Sequence, residues 1–319
     1  MKSALLCASH SPLLYCYVKP PRELAKLERV LEQRARAIKE FEPELVIVFG
    51  SDHFNGFFLK TMPAFCIGLQ AKAEEDIGGF SGRLDVPEET AIACIESARR
   101  DNVDVAVSYS MLVDHAFSQT IQLALGGLTN YPLVPVFINC LSKPYVPFRR
   151  SRKLGEAIGK FAKNLDRKVL FLASGGMSHH PARYYPAHGE GEKEVEGWKL
   201  SGGEDSESMN REAWLERLHT MHHEGARMIA NGERTAEDMR LNEEVDKHFL
   251  DLLCHKDLQE FDEWEPEKLV EQAGIGFLEL QTWIAATAAY RVINNSEAVC
   301  DIYTLAPEIG IAAGIVHAG

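Results

Sequence analysis

Four of the twelve histidines occupy the same kind of position. His10 follows SALLCAS (3–9), His53 follows ELVIVFG (44–50), His115 stands a few residues past VDVAVSY (103–109), and His179 comes just after KVLFLAS (168–174). Uninterrupted apolar runs of this length suit β-strands covered on both faces, and the carboxyl ends of such strands open onto the crevice where ligands bind. If the four runs are parallel neighbours, four imidazoles converge on one crevice. Two imidazoles with one carboxylate make the facial triad of non-haem Fe(II) oxygenases, and three hold a catalytic zinc with a bound water. Spacing does not choose between these, because an iron site needs one carboxylate and the chain has 47 acidic residues.

Ser9, Asp52, Asp114 and Ser178 directly precede the four histidines and are placed to fix their tautomers. Asp52 could equally cap a turn, and Ser178 could simply close SGG. His219, His222 and His223 have the i, i+3, i+4 spacing of a metal grip, but they sit in a charge-rich helix and read as a solvated face. Other chemistries lack their signatures. There is no GxSxG nucleophile elbow, no GxGxxG and no GxxxxGK[ST].

The elements that must position these residues alternate. Strand-like 3–9, 44–50, 64–69, 103–109, 133–139 and 168–174 are interleaved with helical 21–41, 87–100, 117–127 and 152–165. This alternation predicts an α/β fold with a mainly parallel or mixed central sheet flanked by helices. Beyond Ser178 the pattern changes. Residues 183–208 are rich in Gly and acid and are expected to be a mobile excursion near the active site; the remainder is expected to be a helical C-terminal section. No internal repeat or linker divides the chain, so 1–319 is read as a single catalytic domain.

Composition narrows the partners. With 25% charged and 45% hydrophobic residues the chain is ordinary for a globular protein, and its net charge of −13 disfavours nucleic acid, which needs clustered Lys and Arg. The one basic cluster, FRRSRK (148–153), reads as the exposed start of a helix. No apolar run is long enough to span a membrane, and the apolar start is interrupted by Ser-His-Ser-Pro, so no membrane association is expected. Seven scattered cysteines, with no CxxC pair, fit reduced thiols in the cytoplasm.

SHSPL (9–13), PELVIVFGSDHFNGFF (43–58), VSYSMLVDHAF (107–117), LVPVFINC (133–140), LGEAIGKF (154–161), VLFLASGGMSHHP (169–181) and LELQTWIAA (278–286) occur in that order, and together they resemble the class III (LigB-type) extradiol ring-cleaving dioxygenases. The resemblance runs from about residue 3 to 180 and resumes near 274–290. It implies a LigB-like fold and Fe(II) held by His10, His53 and Glu279, with His179 as proton acceptor and His115 as proton donor. It further implies a catechol and O2 as substrates, 3-(2,3-dihydroxyphenyl)propionate or 2,3-dihydroxycinnamate first among the catechols, and a homo-oligomer. Two departures stand out: His180 follows His179 where a polar non-His residue is expected, and Leu278 precedes Glu279 where relatives often carry His. Two other readings remain on this fold, a Memo-like metal-binding scaffold without dioxygenase activity and a zinc-dependent enzyme.

Overall fold

A computed structural model describes residues 2–204, 208–294 and 296–319. The chain alternates as β1 (Ser3–Ala8), α1 (Leu24–Phe41), β2 (Leu45–Gly50), β3 (Phe65–Gly68), β4 (Ala71–Ala73), β5 (Gly82–Arg83), α2 (Glu88–Arg100), β6 (Ala106–Ser108), β7 (Met111–Val113), α3 (His115–Leu125), β8 (Leu133–Ile138), α4 (Phe148–Lys163) and β9 (Val169–Ser174). It continues through α5 (Lys193–Ser201), α6 (Arg211–Asn231), α7 (Glu243–His255), α8 (Pro266–Ala273) and α9 (Gln281–Ile293), and ends in β10 (Val299–Ala306) and β11 (Ile311–Ala318).

The main sheet has the order β10-β11-β1-β9-β2-β8-β3-β6. Its centre, β1-β9-β2-β8, is parallel, and β3 and β11 run antiparallel to their central neighbours. Every residue of β1, β2, β8 and β9 is buried, as expected for strands covered on both faces. α2, α4 and α9 cover one face and α1 and α3 the other. The apolar positions of α1, Leu24, Leu27, Leu31 and Ile38, recur at helical spacing and turn one stripe toward α3 and β11. Among the described residues no helix is long and apolar enough to cross a membrane, and all seven cysteines are free.

Three parts of the structure differ from expectation. The C-terminal section is helical only to Ile293; β10 and β11 then form an antiparallel pair on the edge of β1. Their alternation is hard to see because small residues, IAAG, stand where bulky β-formers are usual. The segment 183–208, expected to be an excursion, carries α5, whose Trp198 is buried and stacks on Trp214 of α6 with ring centroids 5.5 Å apart. Residues 205–207 of that segment lie outside the described residues. Finally, FRRSRK does start a helix, but only in part as an exposed one. Arg152 is buried and forks onto Asp262, its Nε and Nη2 donating to the two carboxylate oxygens at 2.8 and 2.7 Å.

α9 reaches the sheet by lying against α4 at unusually close range. Gly155 and Gly159, one turn apart on α4, face the backbone of Ala285 and Ala289 on α9. A Cβ at Gly159 would come within 2.5 Å of the Ala289 carbonyl oxygen, and one at Gly155 would meet the Ala285 carbonyl still more tightly. Gly155→Ala is therefore expected to force the helices apart and cost about 1–3 kcal/mol, as overpacking does. Urea unfolding monitored by tryptophan fluorescence measures this, and an unchanged midpoint would mean that the helix pair yields freely.

Candidate active site and metal centre

Three adjacent parallel strands, β1, β9 and β2, each end in one of the predicted histidines. β1 leads to His10 and β2 to His53, and β9 leads through Gly175-Gly176 to His179. Glu279 comes from the other end of the chain, in the 3-10 turn Ile275–Leu280 that enters α9. The four side chains meet: Glu279 Oε1 lies 3.2 Å from His53 Nε2, and Oε2 lies 3.6 Å from His10 Nε2 and 4.0 Å from His179 Nε2. His115 completes the group, its ring stacked on that of His53 at 4.3 Å and edge-on to His10 at 5.3 Å. All five are buried.

His115 arrives by a different route from the expected one. The strand-like run 103–109 contributes only β6, at the far edge of the main sheet. β7 belongs to a separate three-stranded sheet, β5-β4-β7, and delivers Asp114 and His115 to the amino end of α3. A strand run split by a turn between two sheets leaves no trace in hydrophobicity.

Each histidine is held by a group other than its neighbour in sequence. His10 Nδ1 bonds Ser174 Oγ at 2.9 Å. Asp114 caps α3 through Ala116 N–H with one oxygen, while the other accepts from His53 backbone N–H at 2.7 Å and lies 3.1 Å from His53 Nδ1. Asp52 is a turn cap, accepting from the N–H groups of Asn55, Gly56 and Phe57. Ser178 is occupied with Asp246, to which its N–H and hydroxyl both donate. His179 Nδ1 donates to the Met177 carbonyl at 2.7 Å, and His115 Nδ1 lies 2.5 Å from Asp76 Oδ2.

Burial acts on every charge here, and the partners decide the outcome. Burial pushes the Glu279 carboxyl up, but His10, His53 and His179 outweigh it and hold Glu279 well below the ordinary carboxylate range. Two donors help: Ser51 hydroxyl at 2.6 Å and Gly176 N–H at 2.9 Å. Burial pulls His53 down, yet Asp114 and Glu279 raise it well above an ordinary imidazole. With less carboxylate around it, His10 is pushed down by burial to about 3. His179 is likewise lowered by burial, against the pull of Glu279.

This donor set suits a cation. His10, His53 and Glu279 turn two Nε2 atoms and a carboxylate toward one another, and the anionic Glu279 and Asp114 favour positive charge between them. A second grouping also fits: ligand atoms of His10, His53 and His115 lie within 4.8 Å of one another. His115 Nε2 is buried without a hydrogen-bond partner among the described residues. A metal held by His10 and His53 here could take its third ligand from Glu279 or from His115.

Several residues of the site carried no signal in the sequence. Asp76, in the loop before β5, is one buried carboxylate among many acids and is found only by its contact with His115. His222, read as part of a solvated helix face, is instead buried, stacked on Tyr184 at 3.8 Å and lining the cavity; His219 and His223 are exposed as expected. Tyr185 and Arg234 line the same cavity. His180 lines its wall, with Nδ1 accepting from Ile275 N–H at 3.3 Å; Leu278 is buried in the core.

Comparison with known proteins accords with this geometry. The family model described as the catalytic LigB subunit of aromatic ring-opening dioxygenase matches residues 4–312. Proteins of Escherichia coli K12 and of Escherichia coli O157:H7, each named 2,3-dihydroxyphenylpropionate/2,3-dihydroxicinnamic acid 1,2-dioxygenase, are 39% identical over 313 residues, 97% of this chain and 96% of theirs. A crystal structure of an uncharacterized Escherichia coli K12 protein overlaps 99% of both chains with TM-score 0.49 at 12% identity, too loosely to bear on chemistry. A match across nearly the whole chain, on a sheet whose central strands end beside His10, His53 and His179, places the protein in the LigB family of aromatic ring-opening dioxygenases.

Proposed function

We propose that the protein is an Fe(II)-dependent extradiol dioxygenase that opens the ring of 3-(2,3-dihydroxyphenyl)propionate or 2,3-dihydroxycinnamate. The observation that carries this is the meeting of His10, His53 and Glu279 with two further imidazoles, His115 and His179, whose environments differ in kind. The names of relatives at 39% identity support the choice of substrates. Iron on His10, His53 and Glu279 would bring catechol and dioxygen together and carry electrons between them.

The side chains supply the proton movements. His179 donates its Nδ1 proton to the Met177 carbonyl, so in the neutral ring Nε2 carries a lone pair facing Glu279 and can take a proton from a catechol hydroxyl. His115 sets Nδ1 against the buried carboxylate of Asp76, which offers a counter-charge to a protonated ring. Its unpartnered Nε2 is then the donor that protonates oxygen as the O–O bond breaks. Two glycines make room for His179, since a Cβ at Gly176 or Gly276 would collide with its ring. A Memo-like scaffold, bound to metal but without turnover, would need neither the His115–Asp76 pair nor these glycines. The chain is read further as one catalytic domain, cytoplasmic, in keeping with seven free thiols, and homo-oligomeric.

Anaerobic loading with Fe(II), followed by air and 3-(2,3-dihydroxyphenyl)propionate, is expected to give stoichiometric oxygen uptake with the yellow ring-fission product. Iron bound with no uptake would support the scaffold, and activity with zinc alone would support the zinc enzyme. His115→Ala and His179→Ala are expected to keep iron while turnover falls by roughly 10²–10⁴; iron loss in His115→Ala would instead make His115 the third ligand. Glu279→Ala should abolish tight iron binding, read by metal analysis after gel filtration, and full occupancy would exclude it as a ligand. Gly276→Ala should retain iron yet lower kcat by displacing His179, so wild-type kcat would show that the ring position is not critical.

A further inference from the structure

We propose that Arg234 is the specificity-determining residue that binds a carboxylate on the substrate's side chain, so that the cavity selects catechols bearing a short acidic chain. The inference rests on the ring-cleavage reading above and adds the residue that recognises the acid.

Arg234 follows the carboxyl end of α6 and is 9% exposed. It is the only Lys or Arg among the described residues lining the cavity that holds His10, His53, His115 and His179. A buried guanidinium ordinarily has an acid beside it, because an uncompensated buried charge is costly. Arg234 has none within ion-pair distance among the described residues. Its hydrogen-bond partners are neutral: Nη1 donates to the Tyr184 hydroxyl at 2.7 Å and Nη2 to the His180 carbonyl at 3.3 Å, and the group lies 5.2 Å over the Tyr184 ring. Asp238, an acid whose charge it feels, is fully exposed and accepts instead from Thr235 N–H and Oγ1 at 2.8 Å. Glu308 shares an outer groove with Arg234 but makes no ion pair with it.

The rest of the lining fits a ligand with two different ends. The Tyr185 ring lies 5.0 Å from His53, and its buried hydroxyl has no hydrogen-bond partner among the described residues. Leu13, Ile309 and Ile311 supply apolar wall. Arg234 exerts its charge on His179, His180 and His222, which places it within electrostatic range of the reacting end. A guanidinium has five N–H donors, of which two are accounted for here, so a planar carboxylate can still be met.

The test uses full-length iron-loaded protein, wild type, Arg234→Gln and Arg234→Lys, with 3-(2,3-dihydroxyphenyl)propionate and its neutral counterpart 3-propylcatechol. Arg234→Gln is expected to lose kcat/KM on the acid roughly 10- to 100-fold more than on propylcatechol, chiefly through KM, with partial rescue by Arg234→Lys. Equal losses on both substrates would make Arg234 a structural support for Tyr184 and overturn the inference. No loss on either would overturn it as well. In parallel, 3-phenylpropionate, which has the acid but no catechol oxygens, is titrated calorimetrically into each protein. If wild type turns over neither catechol, the ring-cleavage reading fails separately, and binding of phenylpropionate to wild type but not to Arg234→Gln still decides whether Arg234 is an anion site.

Discussion

The structure is organised around one carboxylate that has no access to water. Glu279 is fully buried, and a carboxylate in that position is costly unless other groups replace its hydration. Three imidazoles, one hydroxyl and one backbone N–H do so here. Those groups come from the ends of three neighbouring strands, so the parallel order β1-β9-β2 is a condition for burying Glu279 at all. The demand extends outward. The turn that carries Glu279 is tied to the His179 loop by backbone bonds from His179 N–H to Ala273 and from Gly276 N–H to His179. Gly175 lets that turn approach, since a Cβ there would stand 2.8 Å from the Glu279 carbonyl oxygen. The close crossing of α4 and α9 sets the helix that follows at the required depth.

Around that carboxylate, two histidines of the same chemical type differ in what touches Nδ1. On His179 it is a carbonyl, which fixes the neutral tautomer with Nε2 as acceptor, and on His115 it is a buried carboxylate. Asp76 is itself pushed up by burial, with His115 opposing that push. The proposed division of acid and base rests on environment, as it does wherever one residue type serves both roles.

Much of this was legible in the residues. The runs SALLCAS, ELVIVFG, LVPVFIN and KVLFLAS announce buried strands because nothing polar interrupts them, and each of His10, His53 and His179 sits within a few residues of its strand end. Other parts depend on tertiary contacts that leave no periodic mark. Asp76 meets a partner 39 positions away, and Ser174 meets one 164 positions away. His222 lies on a helix whose composition is polar, yet its ring is buried where Tyr184 stacks on it and Tyr185 packs beside it. The Gly- and acid-rich stretch around α5 conceals Trp198, stacked on Trp214 of α6, for the same reason: average composition describes the exposed face and hides the few residues that are buried.

Those tryptophans tie the upper part of the molecule to the metal site. Trp198 donates to the Phe54 carbonyl at 2.8 Å and Trp214 to the Asn55 side chain at 3.1 Å, so α5 and α6 rest on the loop that presents His53. Phe54 holds a left-handed φ of 60°, a strained conformation for an aromatic residue that persists only where its surroundings impose it. His10, His53 and His179 follow the ends of central strands, His115 opens α3 and Glu279 enters α9; Tyr184, Tyr185, His222 and Arg234 all come from residues 184–234. Ring opening and the proposed recognition of the ring's side chain therefore draw on separate parts of the chain. They touch at the His53 loop, under the two tryptophans, and beside His179, where Arg234 donates to the His180 carbonyl. A change in residues 184–234 that keeps the two tryptophan hydrogen bonds leaves the loop that presents His53 supported, whereas a change that releases them removes that support.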